Sequence, residues 1–342
     1  MKRWTALGLM LAVLVLAAGC GPEERSLEPN AAKEPLALGL LVCTGQVEDG
    51  QYNELLLEGL KSLGQPVLVS AQEQDDSTIE ERLTQLIADG AEFIWGSEAA
   101  AVEVILPQAA AHPELYFAVH DAEQSDLPDN VFTVSYRSWE GAFLAGYAAA
   151  MMTETNKVGM LGGRDEAVIW QFEIGYNAGV QYAAKALGKT IEVYTIYVGA
   201  YDEADMGQQL AGIMYHDDCD VLFQAAGVSG LGAIKEAQAQ NKYIIGVDQD
   251  QSALAPEQML LSVTKGISTT AAELTKRALA GDFPAGEHLN YGLAEGGVDI
   301  AVTDNIPPTL QEQLSALKKQ IIDGQLAVPY DQASYEAFIQ NL

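Results

Sequence analysis

The sequence predicts an α/β protein of two Rossmann-like lobes with parallel sheets and a ligand cleft between the lobes. Apolar strand-like runs alternate with segments of helical periodicity, which is typical of parallel sheets. The same order of elements occurs twice, at an offset of about 127 residues: "DGAEFIWG" aligns with "DDCDVLFQ", and "LYFAVHD", ending at Asp121, aligns with "YIIGVD", ending at Asp248. About 300 residues follow a leader segment, a length that suits two lobes.

The first residues have the pattern of a signal peptide. Lys2 and Arg3 precede an apolar run at residues 7–16, and Cys20 follows a small-residue cleavage site. We therefore expect a signal peptide at residues 1–19, lipidation of Cys20 and a flexible tether over residues 20–35, which have little to bury. The mature protein would be anchored by lipid to the cell membrane on its extracytoplasmic side. An ordinary cleaved signal peptide with an incidental cysteine is the alternative.

The repeated halves predict four strands each. In the first half we expect strands at residues 36–42, 66–70, 92–96 and 115–120, and helices at 53–63, 77–89 and 102–111. Ser77 and Glu80 fit a capping box at the start of the second helix. In the second half we expect strands at 157–161, 191–198, 220–224 and 243–247, and helices at 170–187, 205–215 and 230–240. A further strand at 260–263 is expected to return to the first lobe, so that lobe one comprises residues 36–135 plus about 255–290 and lobe two residues 136–254 plus about 291–342.

Charge and cysteine content restrict the partners. The net charge of −30 becomes −32 once the leader is removed, and such a surface should repel nucleic acid and anionic headgroups. Cys43 and Cys219 fall in different lobes and are expected to be separate thiols. The four histidines show no ligand spacing, so we predict no metal site and no cofactor. We expect a monomer.

Charged residues stand at the ends of three predicted strands, where open parallel sheets bind ligands. Asp121 and Asp248 each end the fourth strand of a lobe. A carboxylate accepts two hydrogen bonds side by side, which suits the vicinal hydroxyls of a sugar or ribose; an aspartate that caps the next turn is the alternative. Lys265 follows the strand at 260–263 and is one of only 18 basic residues, which favours a role in the cleft over a surface position.

Aromatic and glycine residues also follow strands. Tyr52 and Asn53 begin the first helix, and Tyr201 follows the second strand of lobe two. Two tyrosines facing each other would sandwich a planar ring, and Asn53 offers both donors and an acceptor. Surface tyrosines and an N-cap asparagine are the alternatives. The G-x-x-G-x-G pattern that begins at Gly227 is no dinucleotide fingerprint and predicts a tight loop whose backbone approaches a ligand.

Enzyme functions lack their motifs in this sequence. There is no G-x-S-x-G elbow, no Walker A motif and no histidine placed with a serine or cysteine partner. Asp121 and Asp248 could be imagined as a glycosidase pair. Their equivalent positions in two lobes are explained more simply by binding, so we predict a binding protein and no enzyme.

Several stretches resemble the basic membrane protein family of substrate-binding lipoproteins, which includes purine-nucleoside receptors. They are "DGQYNELLLEGL", "SWEGAFLAGYAAAMMTETNKVGMLGG", "QFEIGYNAGV", "GVDQDQ", "LLSVTKGI" and "NYGLAEGGVDI". The resemblance implies a type I periplasmic-binding-protein fold with three crossovers between lobes, an ABC permease as partner and a nucleoside, in particular a purine nucleoside, as ligand.

The same resemblance implies roles for the candidate residues. The base would lie between Tyr52 and Tyr201, with Asn53 bonded to base or ribose. Asp248 and Lys265 would hold ribose hydroxyls, Asp121 would contact the ligand from lobe one, and Trp170 would close the pocket.

Two departures from the family pattern leave the ligand open. Tyrosine replaces phenylalanine at both stacking places, and His120 stands where an aliphatic residue is usual, so riboflavin or another ring-bearing solute stays an alternative. A ligand sensor for a membrane receptor and a nucleoside-cleaving enzyme are the other functions considered. The hinges are expected at residues 134–139 and 249–256.

Overall fold

The computed structural model describes residues 37–71 and 77–342, which form two six-stranded sheets. The predicted signal peptide, Cys20 and tether lie outside the described residues. The strands of the first half are β1 (Leu38–Leu41), β2 (Val67–Ser70), β3 (Phe93–Gly96), β4 (Tyr116–His120) and β5 (Val131–Tyr136). The strands of the second half are β6 (Lys157–Gly162), β7 (Glu192–Tyr197), β8 (Val221–Ala225), β9 (Tyr243–Asp248) and β10 (Met259–Lys265), followed by β11 (His288–Tyr291) and β12 (Val298–Val302).

The two sheets have the same strand order. The first runs β11-β5-β4-β3-β1-β2 and the second runs β12-β10-β9-β8-β6-β7, so each strand of the first half has its counterpart five strands later. All pairings are parallel except that of β10 with β12. This confirms the predicted two-lobed α/β fold. Parallel strands are covered by helices on both faces, and β1 and β3 are accordingly apolar and buried along their whole length.

Helices connect the strands. Those before the first crossover are α1 (Tyr52–Lys61), α2 (Ile79–Ala88) and α3 (Ala101–Ala111). Those that follow are α4 (Ser138–Met152), α5 (Ala167–Leu187), α6 (Ala204–His216), α7 (Gly227–Gln240), α8 (Ile267–Leu279), α9 (Pro308–Ile322) and α10 (Gln332–Asn341). The capping box of α2 uses Thr78 and Glu81, one residue later than predicted. None of the helices in residues 37–71 and 77–342 has the length and apolar character needed to cross a bilayer.

The strand predicted at residues 260–263 does not return to the first lobe. It is part of β10, which pairs with β9 in the second sheet, and Val263 lies opposite Val247. The chain crosses only after Lys265, when α8 packs against α1. The prediction was wrong because a short buried strand carries no mark of the sheet that it joins.

One of the two predicted hinge segments coincides with a crossover. Residues 134–139 include the end of β5 and the start of α4, where the chain passes from the first sheet to the second lobe. Residues 249–256 connect β9 and β10 of the same sheet, so the prediction of a hinge there is wrong. The third passage lies between β11 and β12.

The two cysteines within the described residues are free and buried. Cys43 packs in a core of the first lobe and Cys219 in a core of the second. Burial raises the pKa of each thiol to about 12, so both are unreactive at neutral pH.

Candidate functional site

An ion pair joins the two sheets at their strand ends. Lys265, the last residue of β10, places its Nζ 2.5 Å from Oδ2 of Asp121, which follows β4. The side chains are only 2% and 9% exposed. Burial is the largest single influence on the pKa of Asp121 and raises it, but the ammonium of Lys265, together with the other neighbours of the carboxyl, holds that pKa below its usual value. The pair therefore places a cation and an anion where the strand ends of the two sheets meet.

Asp248 adds a second carboxylate beside this pair. It ends β9 in register with Thr264, the residue before Lys265, and is 9% exposed. The pKa of Asp248 is raised to about 6. Burial has the largest effect and raises the pKa, the nearby Lys265 lowers it, and the charge of Asp121 raises it. Within the described residues no side chain or backbone N–H donates a hydrogen bond to this carboxylate, so its oxygens are available to a ligand.

Tyr52 is held by a hydrogen-bond chain beneath the cleft. Its hydroxyl lies 2.6 Å from the carbonyl oxygen of Ser97 and 2.6 Å from Nδ1 of His120. Because a carbonyl only accepts, the hydroxyl donates to Ser97, and Nδ1–H of His120 donates to the hydroxyl. Nε2 of His120 then accepts from the hydroxyl of Tyr136 at 2.8 Å. Burial lowers the pKa of His120 to about 4, which agrees with this neutral tautomer.

Aromatic rings surround the Lys265 ammonium. Its Nζ lies 5.4 Å from the ring centre of Tyr52, 5.1 Å from that of Tyr136 and 5.8 Å from that of Phe172. Such contacts stabilise a cation that is shielded from water. Tyr52 and Tyr136 come from the first lobe and Phe172 from α5 in the second, so the site is made by both lobes.

Asn53 organises the loop between β1 and α1. Its amide group donates to the carbonyl oxygens of Thr44 at 3.0 Å and Gln46 at 2.9 Å. Both amide hydrogens are thus occupied, and only the carbonyl oxygen of Asn53 could meet a ligand. Asn53 is not the N-cap of α1, which is Gln51; the carboxylate of Asp49 accepts from the backbone N–H groups of Gln51, Asn53 and Glu54 at the start of the helix.

Tyr201 stands in the loop after β7, on the side of the second lobe. Its ring lies so close to Gly163 that a Cβ there would be 2.2 Å from a ring carbon. The guanidinium of Arg164 lies 5.3 Å from the ring centre, and the hydroxyl donates to Glu166. Gly227, at the start of α7, has φ +56° and packs beside Tyr201, where the left-handed conformation favours glycine.

The charge of Glu98 acts on both Tyr52 and Tyr201. It follows β3 in the first lobe, and burial raises its pKa. Its negative charge in turn contributes to the raised pKa of both Tyr52 and Tyr201, after the larger effect of burial on each. Glu98 therefore lies close enough to both tyrosines for its charge to act on each.

A chain of buried glutamines also links the lobes. Nε2 of Gln251 donates to Oε1 of Gln51 at 2.7 Å, and Nε2 of Gln224 donates to Oε1 of Gln251 at 2.8 Å. Gln249 adds a bond to the carbonyl oxygen of Gly50 at 2.8 Å. The structure thus shows the lobes in contact along the cleft.

Trp170 is not brought to the Lys265 cluster. It lies near the start of α5, is 47% exposed and donates from Nε1 to Asp165 at 2.7 Å. It lines a different cavity with Trp139 and Tyr330. Phe172, two residues later on the same helix, occupies the place beside Lys265.

Sequence reasoning missed several residues of this site, among them Phe172, which was passed over for Trp170 on the same helix. Glu98 and Arg164 are each the second residue after a strand, β3 and β6 respectively, so a search of the residues just after each strand would also have found them. Tyr136 was missed because β5 was interpreted as a hinge segment and not as a strand. Among the residues that the structure describes, no group of histidine, cysteine, aspartate and glutamate side chains could hold a metal ion.

The Tyr52 hydroxyl should be a measurable source of stability. We expect Tyr52→Phe to lower the free energy of unfolding by about 1–3 kcal/mol, because it leaves a buried carbonyl and the His120 N–H without a partner. Urea unfolding followed by circular dichroism measures the change. Tyr330→Phe, at a position 55% exposed, is the matched control. Equal stability of the two variants would show that the hydrogen bonds of the Tyr52 hydroxyl do not contribute measurably to the free energy of unfolding.

Comparisons with known proteins agree with this arrangement. A family model described as "ABC transporter substrate-binding protein PnrA-like", Bmp, matches residues 37–332. Basic membrane protein A1 of Borrelia garinii subsp. bavariensis is 34% identical over 309 residues, which cover 88% of this chain and 90% of the relative. A protein named ABC transporter nucleoside-binding protein BmpA, from Lactococcus lactis subsp. cremoris, is 30% identical over 345 residues, covering 94% of this chain and 97% of its own.

Solved structures agree on the fold. A solute-binding protein of an ABC transporter system from Aeropyrum pernix K1 superposes with a TM-score of 0.80 at 24% identity, covering 90% of this chain and 97% of that one. A second, from Conexibacter woesei, gives a TM-score of 0.69 at 22% identity, with coverages of 86% and 99%. At these identities the likeness concerns the fold alone.

Proposed function

The chain belongs to the Bmp family of PnrA-like ABC transporter substrate-binding proteins, and from this premise we propose that it binds a nucleoside, in particular a purine nucleoside, between its lobes. The family is one of solute-binding proteins and not of enzymes. The relative from Lactococcus lactis carries nucleoside binding in its name, which supports the same ligand class here.

The observation that carries this proposal is the buried charged group of Asp121, Lys265 and Asp248 below the tyrosine walls. Asp248 has two acceptor oxygens without a hydrogen-bond donor in the described structure, which suits a pair of vicinal ribose hydroxyls. Lys265 can donate a further hydrogen bond to a ribose oxygen while it remains paired with Asp121. Tyr52 and Tyr201 supply ring faces for the base.

The balance of charge around the cleft favours an uncharged ligand over a nucleotide. The site has more carboxylates than cations. The cations are Lys265 and Arg164, and the carboxylates belong to Asp49, Glu98, Asp121, Glu166 and Asp248. A phosphate group would add negative charge to a buried region that already has an excess of it. We therefore expect nucleosides to bind and their monophosphates to be rejected.

The location follows the family. Substrate-binding proteins of ABC transporters work outside the cytoplasm, and the membrane permease of the transporter is the partner that receives the ligand. We further propose that Cys20 carries a lipid that anchors the chain to the membrane surface, with residues 20–35 as its tether, and that the protein acts as a monomer.

Calorimetry with a ligand panel tests the proposal. Inosine, guanosine and adenosine should bind, whereas their 5′-monophosphates should bind at least a hundredfold more weakly. Riboflavin is included because a larger ring could stack on the same tyrosines. If no nucleoside binds to protein purified without bound ligand, or if monophosphates bind as well as nucleosides, the proposed ligand class is wrong.

Binding should depend on pH through Asp248. The ionised carboxylate accepts hydrogen bonds from two ligand hydroxyls, and more strongly than the protonated acid does, and its pKa is about 6, so affinity should fall as pH decreases through that value. At pH 5 only about a tenth of the protein carries the charged form, and affinity should be about tenfold weaker than at pH 7. Titrations from pH 5 to 8 measure this, and Asp248→Asn should flatten the profile. An unchanged slope in that variant would assign the effect to another group.

A further inference from the structure

A cavity of about 740 Å³ lies beside the crossover from β5 to α4, apart from the Lys265 cluster. Both lobes form its walls. Glu123, in the loop after β4, and Asn290, in β11, come from the first lobe, whereas Trp139 and the first turns of α5 come from the second. Of the residues singled out at strand ends or by family resemblance, Trp170 alone lines it.

Aromatic side chains stand open around this cavity. Trp170 is 47% and Tyr330 is 55% exposed, and the rings of Trp139 and Tyr330 have centroids 5.5 Å apart at an angle of 40°. Tyr335, on α10, completes the aromatic side. Large aromatic faces around a concave surface are typical of a binding site, because rings that served only the core would be covered.

The polar lining of the cavity is anionic. Its carboxylates accept hydrogen bonds from uncharged donors: Glu123 from the amide of Gln171 at 3.1 Å and Asp331 from the backbone N–H of Ser334 at 2.7 Å. Glu173 likewise accepts from a tyrosine hydroxyl. No lysine, arginine or histidine lines the cavity, and within the described ranges none of these carboxylates forms an ion pair. Arg137 lies next to the cavity, where it donates to the carbonyl oxygen of Asn290, but it is paired with Glu140 and Glu295, so the carboxylates of the cavity have no ion-pair partner among the described residues.

We propose that this cavity is a second ligand site, which takes an organic ammonium cation. The faces of Trp139, Trp170 and Tyr330 attract a positive charge through their π electrons. The carboxylate of Glu123 supplies the counter-charge. Because both lobes contribute, an occupant bridges them beside a crossover.

Choline is a suitable probe, since it combines a quaternary ammonium with one hydroxyl. Trp139 and Trp170 line the cavity, so intrinsic fluorescence should change saturably when choline is added at constant ionic strength. The uncharged isostere 3,3-dimethyl-1-butanol should produce no comparable change. Equal binding of the two compounds would mean that the cavity recognises shape and not charge, and the proposal would be wrong.

Variants locate the binding. Tyr330→Ala and Glu123→Gln should each weaken choline binding about tenfold. The matched controls are Leu254→Ala and Glu257→Gln, at exposed positions outside the cavity, and they should leave the affinity unchanged. A loss of affinity shared by the controls would indicate that choline merely condenses on the acidic surface.

Competition with inosine separates this site from the nucleoside cleft. Saturation with inosine should leave choline still able to bind. If inosine displaces choline, the cation enters the main cleft and no second site exists. If inosine does not bind at all but choline binding follows the variants, the nucleoside proposal fails while the cation site stands.

Discussion

Replacing Asp248 by asparagine should weaken nucleoside binding by roughly ten- to a hundredfold and at the same time stabilise the empty protein. The loss of affinity follows because a neutral amide accepts fewer and weaker hydrogen bonds from ligand hydroxyls than a carboxylate does. The gain in stability follows because the carboxylate is buried without a hydrogen-bond donor, and its pKa is raised to about 6.

The sign of the stability effect follows from the pKa. In the unfolded chain Asp248 ionises near its ordinary value of 3.8, whereas in the folded protein it ionises near 6, so the folded state loses stability as pH rises between these values. A shift of this size corresponds to about 3 kcal/mol at pH 7, as an order of magnitude. The advantage of Asp248→Asn should therefore be largest at pH 7 and vanish at pH 4.

Urea unfolding at pH 4 and pH 7, with calorimetry on the same preparations, measures both effects. Asp218→Asn is a close control, because Asp218 has φ +64° and Asp248 has φ +66°, but Asp218 is exposed. Asparagine tolerates this backbone conformation at both positions. A variant at Asp248 that is less stable than the wild-type protein at pH 7 would contradict the assignment of Asp248 as a strained, ligand-directed carboxylate.

The second large effect is expected when the charge of Lys265 is removed. Lys265→Met should lower the free energy of unfolding by about 3–5 kcal/mol at pH 7, because it leaves Asp121 as a buried carboxylate without its partner. Methionine keeps much of the volume among the rings of Tyr52, Tyr136 and Phe172, so the loss reports mainly on charge. The deficit should shrink as pH falls, because protonation removes the unpaired charge.

A double-variant cycle isolates this interaction. Adding Asp121→Asn to Lys265→Met should recover more than half of the lost stability, since no unpaired charge of the pair then remains. Lys276→Met, at an exposed position on α8, controls for the loss of a lysine as such. Both single variants at the pair should also lose nucleoside affinity. A loss of less than about 1 kcal/mol in Lys265→Met would mean that the pair behaves like a surface ion pair.

The departures from the family pattern at Tyr52 and His120 are related in the structure. A phenylalanine at position 52 would need no partner, whereas the tyrosine hydroxyl meets His120 at 2.6 Å, and His120 passes the chain on to Tyr136 at 2.8 Å. The polar group that tyrosine adds below the cleft is therefore satisfied by the histidine, and its ring remains available for stacking.

The sequence alone determined the two-lobed parallel fold and the position of Asp121, Asp248 and Lys265 at strand ends. The fold could be predicted because apolar strands and helices alternate, and because the same order of elements occurs in both halves of the sequence, which restricts the topology. The positions at strand ends could be predicted because parallel strands place their carboxyl ends at one edge of a sheet. The structure brings these three side chains together, with Lys265 paired to Asp121. The assignment to the family, first seen as a resemblance in short motifs, is confirmed by the match to residues 37–332.

Only the tertiary structure decided which sheet each late strand joins and which face of α5 meets the cleft. Residues 260–263 are equally apolar in either lobe, and pairing with β9 is a contact between segments that local patterns do not encode. Trp170 and Phe172 are two positions apart on α5 and point to nearly opposite sides, because a helix turns about 100° per residue. Packing of the helix places Phe172 beside Lys265 and leaves Trp170 at the second cavity.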